Sequence, residues 1–214
     1  VALMLSRFLA RQFGRPSGLI GQFVIAPWLD RISRGMNEVA LSCLRLERED
    51  WVLEVGFGGG GLLRSLLLGT KGEVFGADVS NALIARARSR FARDVRRGRL
   101  HLYRASAESL PLPPATVTKA VSVNSLYFWP DPVAALAELA RVVKPGGRLA
   151  IAFEPASELR KWPGHRFGFR LFEVAEVKAM MEAAGFAGID ERWGTGRRPS
   201  RFCCLSGERA DAET

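Results

Sequence analysis

Only three cysteines stand among the 214 residues, Cys43, Cys203 and Cys204, and none belongs to a C-x-x-C pair. An odd count without framework spacing excludes a disulfide scaffold and points to buried thiols in a reducing compartment. Histidine is scarcer still, with His101 and His165 alone, so a Cys/His zinc cluster is excluded and no metal is expected. Long apolar runs are missing too. Arg, Gly or Pro breaks each within about a dozen residues, short of the ~20 that a membrane-spanning helix needs. The opening "VALMLSRFLARQF" is apolar and basic, but no small-residue cleavage site follows. That argues against a secretory signal and for a cytoplasmic protein. There is no internal repeat and no low-complexity tract.

Hydrophobic side chains are plentiful, at 48%, enough for a full core in one domain with a small appendage. Lys and Arg number 31 against 22 Asp and Glu, a formal charge of +9. That balance suits nucleic acid, an anionic membrane surface or an acidic substrate, and equally a surface kept basic for solubility. The densest charge run is Arg86, Arg88, Arg90, Arg93, Arg96, Arg97 and Arg99. On a helix it spreads around much of the circumference and reads first as a solvated outer face.

Residues 1–48 read as helical. Leu5, Phe8, Leu9 and Phe13 share a face; Pro16 and Gly18 break that helix, and Pro27 opens a second that runs to about Leu44. Then the pattern alternates. "WVLEVG", "EVFGAD", "RLHLYRA", a run within "ATVTKAVSVNSL" and "RLAIAFE" read as strands. Between them lie helices in "GLLRSLLL", in "SNALIARARSRFARDVRR" capped by Ser80, and in "DPVAALAELARVV" capped by Asp131 and stopped at "KPGG". A helix near 173–184 and two strand-like runs, around "AGIDERWG" and "RFCCLSGE" with the hairpin loop "TGRRPS" between, close the chain. Five strands alternating with helices predict an α/β fold built on a parallel, doubly wound sheet. Ligands bind such sheets beyond the carboxyl ends of the strands, where the winding reverses. That directs attention to residues 54–61, 78–79, 105–108, 124–129 and 154 onward.

"VLEVGFGGGG", residues 52–61, fits two fingerprints. Gly56, Gly58 and Gly61 match the G-x-G-x-x-G of dinucleotide binders. Glu54, Gly56, Gly58 and Gly60 match the E-x-G-x-G-x-G loop of S-adenosylmethionine binders. Both ligands need a turn bare of side chains. Both also need an acid at the end of the second strand to accept ribose hydroxyls, and Asp78 is placed for that. Glu54 separates the two. It ends a central parallel strand, which is buried on both faces. A carboxylate there opposes a pyrophosphate and attracts the ammonium and sulfonium of S-adenosylmethionine. Size agrees, because only about sixty residues follow the fifth strand. A nicotinamide-dependent oxidoreductase usually carries a second nucleotide-binding half or a substrate domain. It stays open as an alternative, as does a non-catalytic cofactor-binding protein.

Taken in order, "VLEVGFGGG", "VFGADVS", "RASAESLPL", "AVSVNSLYFW" and "LARVVKPGGRLAIAFEP" resemble a class I S-adenosylmethionine-dependent methyltransferase over residues 50–208. The similarity is to the type 11 group that includes ubiquinone and menaquinone methylases. It implies a Rossmann-like, seven-stranded sheet with its last strand antiparallel. It also implies a helical lid over residues 1–48 and a cofactor-binding domain over 49–214. By the same resemblance Glu54, Gly56, Gly58 and Gly60 hold the methionine end of the cofactor, Asp78 holds the ribose, and Val79 packs on the adenine. "ASAE" at 105–108 stands where the family often has G-D-A-E. Ser106 then replaces an acid as acceptor for the adenine amino group, and the Ala107 N–H reaches a ring nitrogen. Asn124 lies under the methyl group.

Methyl transfer from a sulfonium is an in-line displacement, and alignment alone is worth up to roughly 7–11 kcal/mol. A general base is needed only when the nucleophile holds a proton. The one candidate is His165, in the loop after the fifth strand. Tyr127, Phe128 and Trp129 are expected to enclose a small, apolar or lipid-like acceptor. No N-P-P-Y tetrapeptide follows the fourth strand, which speaks against nucleic acid. The basic amphipathic N-terminus reads either as a substrate lid or as a peripheral contact with an anionic membrane surface.

Overall fold

The computed structural model describes residues 33–166, 168–196 and 200–210. Helix α1 (Arg34–Leu44) leads into β1 (Val52–Val55), α2 (Gly61–Gly69) and β2 (Val74–Asp78). Then come α3 (Asn81–Arg90), α4 (Ala92–Arg96), β3 (Leu100–Arg104) and β4 (Val117–Val123). Helix α5 (Pro132–Val142), β5 (Val143–Phe153), the short α6 (Ala156–Leu159), α7 (Val174–Ala183), β6 (Phe186–Thr195) and β7 (Arg201–Arg209) complete the order. The strands form one sheet in the order β3-β2-β1-β4-β5-β7-β6. Strand β7 is antiparallel to both neighbours and all other pairs are parallel. This is the doubly wound, seven-stranded sheet expected, and its winding reverses between β1 and β4.

Alternation along each strand feeds two cores, one per face. Leu53, Val55, Leu149, Ile151, Phe153, Cys203 and Leu205 pack against α5 and α7. Val52, Val121, Ala150, Ala152, Phe202 and Cys204 pack with α1, α2 and α3. All three thiols are free and buried. Among the described residues no helix is long and apolar enough to cross a membrane.

Local chemistry explains the helix starts. The Ser80 hydroxyl accepts from the Leu83 N–H at 3.4 Å. Asp131 accepts from the N–H groups of Val133 and Ala134, each at 3.0 Å, with Pro132 inside the first turn. Glu173 and Glu176 form a reciprocal capping box at α7.

Two boundaries differ from the sequence reading. The expected single helix over "SNALIARARSRFARDVRR" breaks at Phe91 (φ −111°, ψ 28°), whose ring is buried in the core. Strand β5 begins at Val143, because residues 144–147 bulge out between the Val117–Val143 and Lys119–Arg148 pairs. Helix α1 starts at Arg34. The expected helix around Leu5–Phe13 and the Pro27 start lie outside the described residues.

One buried cation fastens α1 to the sheet. Arg148 is 3% exposed. Its Nε donates to the Cys43 carbonyl at 2.8 Å, and its Nη atoms to Asp190 (2.8 Å), Ser206 (3.0 Å) and Glu208 (3.0 Å).

Candidate functional site

A cavity opens at the carboxyl ends of β1, β2 and β4, at the reversal of winding. Its walls are the glycine loop after β1, the end of β2, and the loops after β3 and β4. Ser33 and Asn37, at the start of α1, face it from across.

Glu54 lines this cavity while only 3% exposed. A carboxylate so placed is strongly biased toward a cationic ligand. Gly56 follows at φ +74°, and a Cβ there would lie 2.6 Å from both Cβ and Oγ of Ser125. Only glycine lets the two loops approach that closely. The Ser125 hydroxyl lies 2.9 Å from that of Ser122 and accepts from Trp129 Nε1 at 3.1 Å. The Ser122 hydroxyl donates to the Val55 carbonyl at 3.0 Å, so the ends of β1 and β4 are locked together.

Asp78 closes β2. Its Oδ2 accepts from the Gly58 N–H at 3.2 Å and its Oδ1 from the Ser80 N–H at 2.9 Å. Burial pushes its carboxyl up to about 6, against the opposing pull of those backbone N–H groups. The Val79 N–H acts on the same carboxylate, which still borders the cavity and has capacity to accept a ribose hydroxyl. Val79, next in the chain, is 38% exposed and lines the same cavity, a bare apolar face beside the acid.

Ser106 and Ala107 also line the cavity, on a loop pinned to α5. Glu138 accepts from the Leu110 N–H at 2.7 Å, and Arg141 donates to the carbonyls of Leu110 (3.2 Å) and Leu112 (2.8 Å). The Arg141 guanidinium, 2.6 Å from Glu138, holds that carboxyl below its usual range. Glu108 accepts from the Asp131 N–H at 3.2 Å, so it braces the loop. Asn124 borders the cavity in the left-handed region (φ +58°), which asparagine tolerates better than most residues.

Three expected residues do not line the cavity. Gly60 (φ +81°) instead caps α2, with the Phe91 ring 3.0 Å from where a Cβ would sit. Tyr127 is 1% exposed. Its hydroxyl donates to the Glu154 carbonyl at 3.3 Å and accepts from the Glu154 N–H. His165 sits in the short 3₁₀ turn Pro163–Arg166 with Nδ1 2.6 Å from the Trp162 carbonyl. Of the aromatic triplet, Phe128 and Trp129 do line the cavity. Ser33 and Asn37 are additions that no sequence motif marks, and Ser125, inside "AVSVNSLYFW", carries no expected role of its own. Among the described residues no group of three or more His, Cys, Asp or Glu is arranged to hold a metal ion.

The donor set suits S-adenosylmethionine: an acid ahead of a glycine loop, a second acid able to accept a hydroxyl, and an apolar face beside it. Residues 53–151 match the family model described as a methyltransferase domain. The chain is 34% identical over 156 residues to an uncharacterised methyltransferase of Bacillus subtilis (strain 168), covering 72% of this chain and 81% of that one. It is also 34% identical over 124 residues to a ubiquinone/menaquinone biosynthesis C-methyltransferase of Marinomonas sp. (strain MWYL1), covering 56% and 49%. The structure of an S-adenosylmethionine-dependent methyltransferase from Aquifex aeolicus shares the fold, with a TM-score of 0.70, 24% identity, and coverage of 87% and 97%. These relationships displace the oxidoreductase alternative. The chain belongs to the class I S-adenosylmethionine-dependent methyltransferases.

Proposed function

We propose that the protein transfers the methyl group of S-adenosylmethionine to a small, apolar or lipid-like acceptor seated against Phe128 and Trp129. The observation that carries this reading is the aromatic bank beside the cavity. Phe128 and Trp129 face it, and Phe169 stands behind, 4.7 Å from the Phe128 ring and 5.4 Å from Trp162. Such a wall favours apolar surface and aromatic rings.

The cofactor supplies an electrophilic methyl group on a positively charged sulfur. The protein's part is alignment. Glu54 attracts the cationic methionine end across the loop of Gly56 and Gly58. Asp78 accepts the ribose hydroxyls, Val79 covers the adenine, and Ser106 and Ala107 meet its edge. Asn124 borders the path of the methyl group. Helix α1 borders this path with Ser33 and Asn37, while residues 1–32 of the expected lid lie outside the described residues.

Incubation with methyl-labelled S-adenosylmethionine and a graded panel of acceptors tests the reading. Label is expected in hydrophobic phenols, quinols or lipids. Label confined to polar metabolites or nucleic acid overturns the acceptor class. A peripheral membrane role has one supporting feature, the exposed Arg88, Arg93, Arg96 and Arg97 on α3–α4. Binding to anionic liposomes that is unchanged by deleting residues 1–15 removes the N-terminal part of that role.

A further inference from the structure

The glycine loop of the donor site holds an uncommon backbone shape. Gly58 (φ +54°) and Gly60 (φ +81°) both occupy the left-handed region, and glycine backbone is the easiest to rearrange. The Gly59–Gly60 peptide is nevertheless held at both ends. Its N–H, from Gly60, donates to the Phe57 carbonyl at 2.9 Å. Its carbonyl, from Gly59, accepts from Arg90 Nη1 at 2.6 Å. The Phe91 ring then covers Gly60 from outside.

Arg90 is the last residue of α3, and its C-cap Phe91 still donates its N–H to the Ala87 carbonyl at 2.9 Å. The C-terminal end of α3 therefore delivers both side chains to the loop.

We propose that Arg90 is a positioning residue for the methyl donor. Its guanidinium fixes the plane of the Gly59–Gly60 peptide and so keeps the loop in its binding shape before the donor arrives. A charge-assisted hydrogen bond is stronger than a neutral one and well suited to this task. Preorganisation of this kind raises affinity by removing the cost of ordering the loop. The proposal rests on the reading that residues 54–60 hold the methionine end of the donor.

The test uses the full chain and Arg90→Ala, Arg90→Lys and Arg88→Ala, the last an exposed neighbour on the same helix. S-adenosylhomocysteine affinity is measured by calorimetry, and amide exchange of residues 57–61 is measured without ligand. Arg90→Ala is expected to weaken binding about tenfold and to speed exchange at Gly60. Arg90→Lys, which retains a cationic donor, recovers part of both, and Arg88→Ala matches the wild type. With a working acceptor, the donor KM rises while kcat and the acceptor KM hold. Wild-type affinity and wild-type exchange in Arg90→Ala overturn the proposal, as does an equal loss in Arg88→Ala. Failure of the wild type itself to bind S-adenosylhomocysteine instead overturns the donor-site reading, and the positioning role falls with it.

Discussion

The backbone N–H of Gly58 donates to Oδ2 of Asp78 across 3.2 Å, joining the loop after β1 to the acid that ends β2. Ser80 holds the other oxygen at 2.9 Å. One carboxylate therefore shapes the glycine loop and also faces the cavity that the loop borders. Its burial has a cost, visible as a carboxyl pushed up to about 6.

That value predicts a pH dependence. The ionised form accepts ribose hydroxyls, and protonation below about 6 removes acceptor capacity. S-adenosylhomocysteine binding is expected to be roughly tenfold weaker at pH 5 than at pH 8. Calorimetry across that range checks it, and a flat profile contradicts the assignment of Asp78.

The same shift acts on stability with the opposite sense. Because the folded state raises the carboxyl, the fold is favoured while Asp78 is protonated and loses that contribution as pH rises from about 4 through 6. Asp78→Asn removes that pH dependence but turns an amide NH2 toward one of the two N–H donors at Gly58 and Ser80, so it is expected to weaken donor binding at every pH. Thermal melts of both proteins at pH 4.5 and 7.5 give the comparison: wild-type stability relative to the variant is expected to fall as pH rises through about 6.

Gly56→Ala places a Cβ 2.6 Å from Ser125 in a backbone region that side chains avoid. A cost of about 1–3 kcal/mol is expected, together with loss of donor affinity. Adding Ser125→Gly relieves the clash but not the strain, so a double-mutant cycle in denaturant should show partial recovery.

Arg148→Met removes a cation whose partners differ in kind. Asp190 and Glu208 are 61% and 58% exposed at their side chains and rehydrate readily. The loss comes from the Cys43 carbonyl and the buried Ser206 hydroxyl, worth about 1–3 kcal/mol. Denaturant unfolding checks this, with Asp190→Asn as the milder comparison.

Phe128 and Tyr127 are neighbours with opposite expected phenotypes. Phe128→Ala raises the acceptor KM several-fold and leaves S-adenosylhomocysteine affinity unchanged. Tyr127→Phe leaves both unchanged and lowers stability by about 1 kcal/mol, since its hydroxyl serves the backbone of Glu154. Kinetics and melts on the two variants distinguish wall from scaffold.

These residues also show what was legible in the sequence. The strands stood out because alternation and glycine turns are local signals, and Ser80 and Asp131 were readable as caps for the same reason. Glu54 and Asp78 were readable because strand ends carry ligands in this architecture. "LYFW" was misleading: in the 3₁₀ turn Leu126–Phe128 the Tyr127 ring goes into the core, against Phe128 and Phe169, and away from the cavity lining. The break at Phe91 was hidden because the helical pattern continues through it, and only tertiary burial of the ring decides the matter. Arg90 was lost within an arginine run for that reason. Ser125 carries no periodic signal at all; its role arises from a distant contact with Gly56.

The most direct test of the account is calorimetric binding of S-adenosylmethionine and of NAD to the wild type and to Glu54→Gln. The account predicts that the wild type binds S-adenosylmethionine and not NAD, and that Glu54→Gln stays folded yet binds the donor at least about tenfold more weakly. Unchanged donor affinity in Glu54→Gln, or tight NAD binding by the wild type, contradicts it.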